Sequence, residues 1–239
     1  MTAIRRAMVL AAGRGERMRP LTDRLPKPLI AVAGRSLLDR ALDRLEDHGI
    51  EEVVVNAHYL APALETHAAN RPRPTIRLVR EAALLDTGGG VANALPLLGA
   101  GPFFVANGDG LWLDGDRPML RRLEEAWDPT RMDALLLLHP LDRAIGREAA
   151  DRGDYFHDSD GRLRHRGDAA GAPYLFASVS IATARLFDDA PTGAFSLVKL
   201  WHRAQAAGRL FGLVHDGAWF HVGSPAALAE AERVLDNAR

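Results

Sequence analysis

Ala7-Met8-Val9-Leu10-Ala11-Ala12-Gly13-Arg14-Gly15 is a short apolar run that breaks on two glycines. Such a run reads as a parallel strand buried on both faces, with the glycines marking where the chain leaves the sheet. Outward from it the alternation repeats. Leu37, Leu38, Ala41, Leu42 and Leu45 recur at helical spacing up to Gly49, and the segment 51–56 then turns β-branched. That is helix, glycine stop, strand. A helix from about Pro62, a strand at 75–79, a helix from about Val91 and a strand at 103–106 continue the series. The pattern predicts an α/β fold: a doubly wound, mostly parallel mixed sheet flanked by helices, with right-handed crossovers. Ligands are then expected beyond the carboxyl ends of the strands.

Beyond a further strand at 133–139 the regularity loosens into the polar, glycine-bearing stretch 151–171, which reads as a hairpin or a flexible lid. A strand at 174–181, a helix at 197–207 stopped by Gly208 and a strand at 210–215 follow. Ser224-Pro225 opens a last helix to about Asp236, serine capping it and proline in its first turn. With no repeat, low-complexity tract or linker, 1–239 is expected to be a single domain.

Composition narrows the function. Hydrophobic residues make up 47% and charged residues 26%, the balance of a soluble globular chain, and no segment is apolar enough to span a membrane. The start lacks the apolar stretch of a signal peptide, so a cytoplasmic location is expected. The absence of cysteine excludes disulfides, thiolate zinc sites and thiol nucleophiles. A formal charge of −1 gives no global reason to expect nucleic acid or an anionic membrane as partner. Lys27 and Lys199 are the only lysines among 30 basic residues.

The glycine loop carries the chemistry. Gly13 and Gly15 let backbone amides approach a phosphate chain, and Arg17, Arg19 and Lys27 follow within about a dozen residues. It is not a P-loop, which needs four residues between its glycines and then Lys-Ser/Thr. Nor is it a dinucleotide fingerprint, because the third glycine is missing; that argues against a plain dehydrogenase. Further on, Leu85-Asp86-Thr87-Gly88-Gly89-Gly90 precedes the helix expected near Val91, where three glycines would expose backbone to a flat ligand. The segment 103–106 runs into Asn107-Gly108-Asp109, placing a carboxylate at the edge where an α/β site belongs.

Gly-x-Gly-x-Arg-x-x-Pro-Leu-Thr over Gly13 to Thr22, followed by Pro26-Lys27-Pro28-Leu29, resembles the signature of the sugar-1-phosphate nucleotidyltransferases. Within them the chain is most similar to the N-acetylmuramate-1-phosphate uridylyltransferases of cell-wall recycling, over nearly its whole length. The resemblance implies transfer of a nucleoside monophosphate, from UTP by preference, to a sugar 1-phosphate. It implies a nucleotide-binding half, about 1–110, and a sugar-phosphate-binding half, about 111–239, with a small antiparallel sugar-binding subregion. Ala11, Ala12, Gly13, Arg14, Gly15, Glu16 and Arg17, with Lys27, Asn56, Asp86, Thr87, Gly88, Gly89 and Asn107, are the implied nucleotide contacts. Arg17, Lys27 and Asp109 are the implied catalytic residues. Asp86 stands where the muramate enzymes carry a glutamate.

Arg152-Gly153-Asp154 resembles a further stretch of those enzymes and, with Lys199, is the expected sugar-phosphate site; Arg147 is another candidate. Asp109 resembles the family's metal ligand, which implies Mg2+ as cofactor. The family's second aspartate is replaced, however, in Trp219-Phe220-His221-Val222-Gly223-Ser224-Pro225. Magnesium favours oxygen, whereas manganese and other softer ions accept imidazole. His221 therefore binds a softer metal, hydrogen-bonds a metal-bound water or phosphate, or marks lost catalysis. The alternatives to muramate uridylylation are mannose-1-phosphate guanylylation or another hexose-1-phosphate, and a binding protein without turnover. A monomer or small homo-oligomer is expected.

Overall fold

A computed structural model describes residues 3–237, so the extreme ends of the expected 1–239 unit lie outside it. The chain runs β1 (Arg6–Leu10), β2 (Ala31–Val32), β3 (Arg35–Ser36), α1 (Leu37–His48), β4 (Glu52–Ala57), α2 (Ala61–Ala69), β5 (Thr75–Arg80) and α3 (Asp86–Leu98). Next come β6 (Phe103–Asn107), β7 (Leu111–Trp112), α4 (Met119–Ala126), β8 (Ala134–Pro140), β9 (Tyr155–His157), β10 (Leu163–His165) and β11 (Tyr174–Ala182). The series ends with α5 (Leu197–Ala206), β12 (Leu210–Val214), β13 (Trp219–Phe220) and α6 (Pro225–Asn237).

Pairing orders the large sheet β5-β4-β1-β6-β11-β8-β12, with the β9–β10 hairpin attached to the start of β11. Pairs β5–β4, β4–β1, β1–β6 and β8–β12 are parallel, whereas β11 runs antiparallel to both neighbours. This is the mixed, mostly parallel sheet expected. Period-two alternation splits its strands between two cores. Ala7, Val9, Val53, Val55, Phe104 and Ala106 pack against α1, α2 and α4; Met8, Val54, Phe103 and Val105 pack against α3 and α5. Helices on both faces explain why these strands read as continuous apolar runs.

Local signals set the boundaries. Ser36 Oγ accepts the Asp39 amide at 3.0 Å to open α1, and Gly49 at φ 95° closes it in the left-handed region. The stretch 151–171, expected as hairpin or lid, is the β9–β10 hairpin. A third cluster joins Met18, Ile30, Leu111, Phe220, Ala231 and Leu235, so α6 packs onto the loop that follows β1. Among the described residues no helix is long and apolar enough to cross a membrane.

Candidate active site

β1 has β4 on one side and β6 on the other, so the crossovers leave a crevice at its carboxyl end, the topological switch point where ligands of such sheets bind. The loop 11–17 lies there and is firmly anchored. Met18 is fully buried, and its amide and the Thr22 hydroxyl both donate to Gly15 O at 2.9 Å. Gly15 has φ 62°, and a Cβ there would lie 2.9 Å from both Lys27 Cβ and Thr22 Cγ2. Glycine is thus required by conformation and by contact. Gly13, in contrast, faces open space, with nothing within 4 Å of where a Cβ would stand. Among the described residues no backbone acceptor takes the amides of Gly13, Arg14 or Gly15. Three neighbouring donors left in this way can be offered to an anionic ligand.

A cleft of about 690 Å³ opens over the loop. It gathers Ala11, Ala12, Gly13, Arg14, Gly15, Glu16, Arg17, Lys27, Asn56, Asp86, Thr87, Asn107 and Asp109, residues spread over a hundred positions of sequence. Lys27 Nζ donates to Asp109 Oδ2 at 2.5 Å, with 13% of the lysine and 35% of the aspartate side chain exposed. Pro26 and Pro28 flank a tight turn that presents the lysine. Asp109 follows from the close approach of β6 to β1: Gly108 N donates to Leu10 O at 2.8 Å, and a Cβ at Gly108 would sit 2.9 Å from that oxygen. Arg17 donates from its exposed guanidinium to Glu148 Oε1 at 3.2 Å, a contact across 131 residues that no local pattern announces. Arg19 pairs instead with Asp23 at 3.4 Å and is absent from the cleft wall.

The structure differs from expectation at the glycine string. Gly88, Gly89 and Gly90 are buried within α3, which starts at Asp86 rather than near Val91. The amides of Gly88 and Gly89 donate to Phe195 O at 2.8 and 3.1 Å, and Leu197 N donates to Thr87 Oγ1 at 2.9 Å. Side chains at 88 and 89 would collide with Phe195 and the Gly193 carbonyl. These glycines admit the 193–197 segment rather than a flat ligand, and only Asp86 and Thr87 of the string line the cleft. Sequence reasoning also missed Glu81, a buried carboxylate under the cleft floor, because nothing in its local context marks it.

His221 lies at the cleft edge beside Arg17. A side chain at Gly223, itself on the cleft wall, would run into the His221 ring, and its Cβ would be 3.3 Å from Arg17 Nη1. The His221 amide donates to Ile145 O at 2.8 Å, tying it to the segment that carries Glu148. Among the described residues no group of three or more His, Asp or Glu could cage a metal ion.

The expected sugar-phosphate residues are not brought to this cleft. Arg152 is exposed and donates to Ala149 O at 2.7 Å. Gly153, at φ 72°, is buried against the Ala172 carbonyl, and Asp154 accepts the Phe176 amide at 2.9 Å. Their visible work is to start the β9 hairpin. Lys199 is exposed on α5. Arg147 lines a separate groove of about 570 Å³ with Arg143 and Tyr174.

The sheet order and the cleft at its switch point define a doubly wound α/β architecture with a ligand site at the carboxyl ends of its strands. Residues 7–221 match the family described as MobA-like NTP transferase domain. The chain is 44% identical over 238 residues to the N-acetylmuramate alpha-1-phosphate uridylyltransferase of Caulobacter vibrioides, covering 97% of each. It is 35% identical to the protein of the same name from Neisseria meningitidis, covering 95% of this chain and 96% of that one. In fold it resembles HddC from Yersinia pseudotuberculosis complexed with GMP-PN, with TM-score 0.77, 22% identity and coverage of 97% and 100%. A UDP-glucose pyrophosphorylase complexed with UDP-glucose gives TM-score 0.79 at 16% identity, covering 99% and 100%. The chain belongs to the MobA-like NTP transferases and to the sugar-1-phosphate nucleotidyltransferase family, and is an enzyme of that class.

Proposed function

We propose that this chain transfers a uridylyl group from UTP to N-acetylmuramate α-1-phosphate and releases pyrophosphate, in the cytoplasmic recycling of cell-wall sugar. The observation that carries the reading is near full-length similarity, at 44% identity, to an enzyme named for that reaction. The cleft is chemically suited to it. An oxygen of the sugar phosphate attacks the α-phosphorus, the bond to the α,β-bridging oxygen breaks, and pyrophosphate leaves with the electron pair. No side-chain nucleophile is needed.

The chain's own groups position and neutralise. The free amides of 13–15 and the Arg17 fork face the phosphate chain, and phosphate oxygens take the place of Glu148 on Arg17. Lys27, held as a point charge by its prolines, meets the charge that grows on the transferred and leaving oxygens. Residues 1–110 hold the nucleotide and 111–239 the sugar phosphate.

Enzymes of this family generally use a divalent metal. One accessible carboxylate without a protein cage fits magnesium, which takes few carboxylates together with phosphate oxygens and water. Asp109 would hold that ion, which would supply positive charge at the α-phosphate. His221, beside Arg17, hydrogen-bonds a water or phosphate oxygen there.

Pyrophosphate release with UTP, GTP and dTTP against N-acetylmuramate, mannose and glucose 1-phosphates tests the reading. UTP with muramate phosphate should turn over best, and chelation by EDTA should stop it until magnesium is restored. Turnover of mannose phosphate with GTP but none of muramate phosphate would replace the substrate pair. Nucleotide binding without product under any metal would make this a binding protein.

A further inference from the structure

The segment that brings Glu148 to Arg17 also carries two arginines without a task in the cleft. Leu141 N donates to Pro173 O at 2.9 Å and Ile145 N to Trp219 O at 3.1 Å, so the chain is pinned on either side of Arg143 and just before Arg147. Both arginines are exposed, and among the described residues neither takes part in a hydrogen bond or an ion pair. Arg17 and Arg19, in contrast, are each paired with a carboxylate. Arg143 and Arg147 line the groove of about 570 Å³ together with Pro140, Leu141 and Tyr174, which are half-buried. Asp142 lies on the same wall, tied to neither arginine, so positive charge is in excess there.

Topology sets this groove beside the cleft. β6 and β8 both run antiparallel to β11 and therefore leave the sheet at one edge. Pro140 ends β8 as Asn107 ends β6, and two strand spacings put these exits about 10 Å apart across the sheet. Arg147 on the groove wall directly precedes Glu148, which reaches the cleft residue Arg17 at 3.2 Å. A ligand whose phosphate lies at Asp109 and Arg17 can thus extend along this edge towards Arg147 and Arg143.

The chemistry of the groove selects what extends there. The cleft already supplies positive groups for phosphate in Arg17 and Lys27, so a second positive site calls for a second anionic group on the same acceptor. Guanidinium groups only donate, whereas a sugar hydroxyl both donates and accepts and is met as well by amides or hydroxyls. A carboxylate takes the guanidinium fork through both of its oxygens. N-acetylmuramate differs from N-acetylglucosamine in a lactyl ether on its 3-oxygen, which bears one carboxylate and one methyl group. The arginines match the first of these, and the apolar surface of Pro140, Leu141 and Tyr174 matches the second.

We propose that Arg143 and Arg147 form a carboxylate subsite that reads the lactyl group of the acceptor and so separates a sugar acid phosphate from its neutral counterpart. The inference rests on the muramate reading of the cleft and deepens it. It places the choice of acceptor in the segment between β8 and β9, apart from the groups that hold the phosphates.

Pyrophosphate release tests it, with UTP saturating and three acceptors varied: N-acetylmuramate 1-phosphate, its lactyl methyl ester and N-acetylglucosamine 1-phosphate. In kcat/KM the native protein should favour the acid over the other two by about tenfold or more. In the double variant Arg143→Gln, Arg147→Gln the acid should lose that advantage, and the three acceptors should fall within about threefold of one another. The ester makes the test a cycle, because removing the charge from the ligand or from the protein should cost the same and removing both should cost no more. A double variant that keeps the native ratio of acid to ester would overturn the proposal. So would an equal loss with all three acceptors, which would assign the arginines to the 1-phosphate that they share. Native protein without preference for the acid over N-acetylglucosamine 1-phosphate would overturn the muramate reading as well, a result seen before any variant is made.

Discussion

Lys27→Ala should separate catalysis from folding. In the native protein the lysine reaches Asp109 at 2.5 Å while most of its side chain is covered, and its Cβ and Cγ pack beneath Gly15. Without it Asp109 is open enough to hydrate, so loss of the ion pair costs about 1 kcal/mol. Removing the buried stem costs about 1 kcal/mol more. The sum of about 2 kcal/mol corresponds to a fall in Tm of roughly 4–8 °C for a chain of this size. The effect on the reaction is larger. A unit charge about 4 Å from growing negative charge is worth about 4 kcal/mol at an effective dielectric near 20. Halving this for an open cleft still leaves about 2 kcal/mol, so turnover should drop between about thirtyfold and a thousandfold. Pyrophosphate release with UTP and muramate phosphate, beside a thermal melt of the same sample, measures both. Activity within threefold of native in the folded variant would refute the assignment of charge neutralisation to Lys27. Activity lost together with cooperative unfolding would make the lysine a structural residue instead. Lys27→Arg should recover less than a tenth of native turnover, because the stem is fixed under Gly15 and the longer fork overshoots.

Gly13→Ala and Gly89→Ala should have contrasting effects. Gly13 faces open space, so alanine should leave Tm within about a degree yet raise the KM for UTP, its methyl group occupying phosphate space; a native KM would place the phosphates elsewhere. At Gly89 the methyl group meets the Gly193 carbonyl, and overpacking of about 1–3 kcal/mol should lower Tm by several degrees; an unchanged melt would contradict the packing described. His221→Asp should lower turnover and shift metal preference if the imidazole works beside Arg17, whereas a rise by orders of magnitude would identify the histidine as a defect. His139 and His215 are buried, and burial holds both below the ordinary histidine value of about 6.5. The unfolded chain therefore takes up protons first as pH falls, so stability is full above about 6.5 and declines below it towards the lowered folded values. Thermal melts at pH 7.5 and 5.5 should show that decline; it should shrink in His139→Gln, and equal slopes for native and variant would exclude this histidine as a source.

Nearest-neighbour chemistry and periodicity made much of this protein legible in the sequence. Hydrophobic repeats located β1, α1, β4 and the β5 strand, Gly49 marked the end of α1, and Ser224-Pro225 the start of α6, because caps, turns and amphipathic faces are decided by residues a few positions apart. The loop after β1, Lys27 between its prolines and Asp109 at the end of β6 could be proposed for the same reason: each is a local motif at a strand end. What required the folded chain was every relation across long sequence separation. The glycine string reads as an open turn until Phe195 and Gly193, a hundred residues later, are seen packed against it. Glu81 has no local signal, since the donors that meet it come from Asn56 on β4 and from the Leu85 amide just before α3. Arg17 meets Glu148, and His221 and Arg17 flank Gly223, only because the later segments of the chain return to the first strand's exit. Short-range preferences are written residue by residue, but the pairing of distant groups is settled by which arrangement buries the whole core at once, and that decision belongs to the tertiary structure.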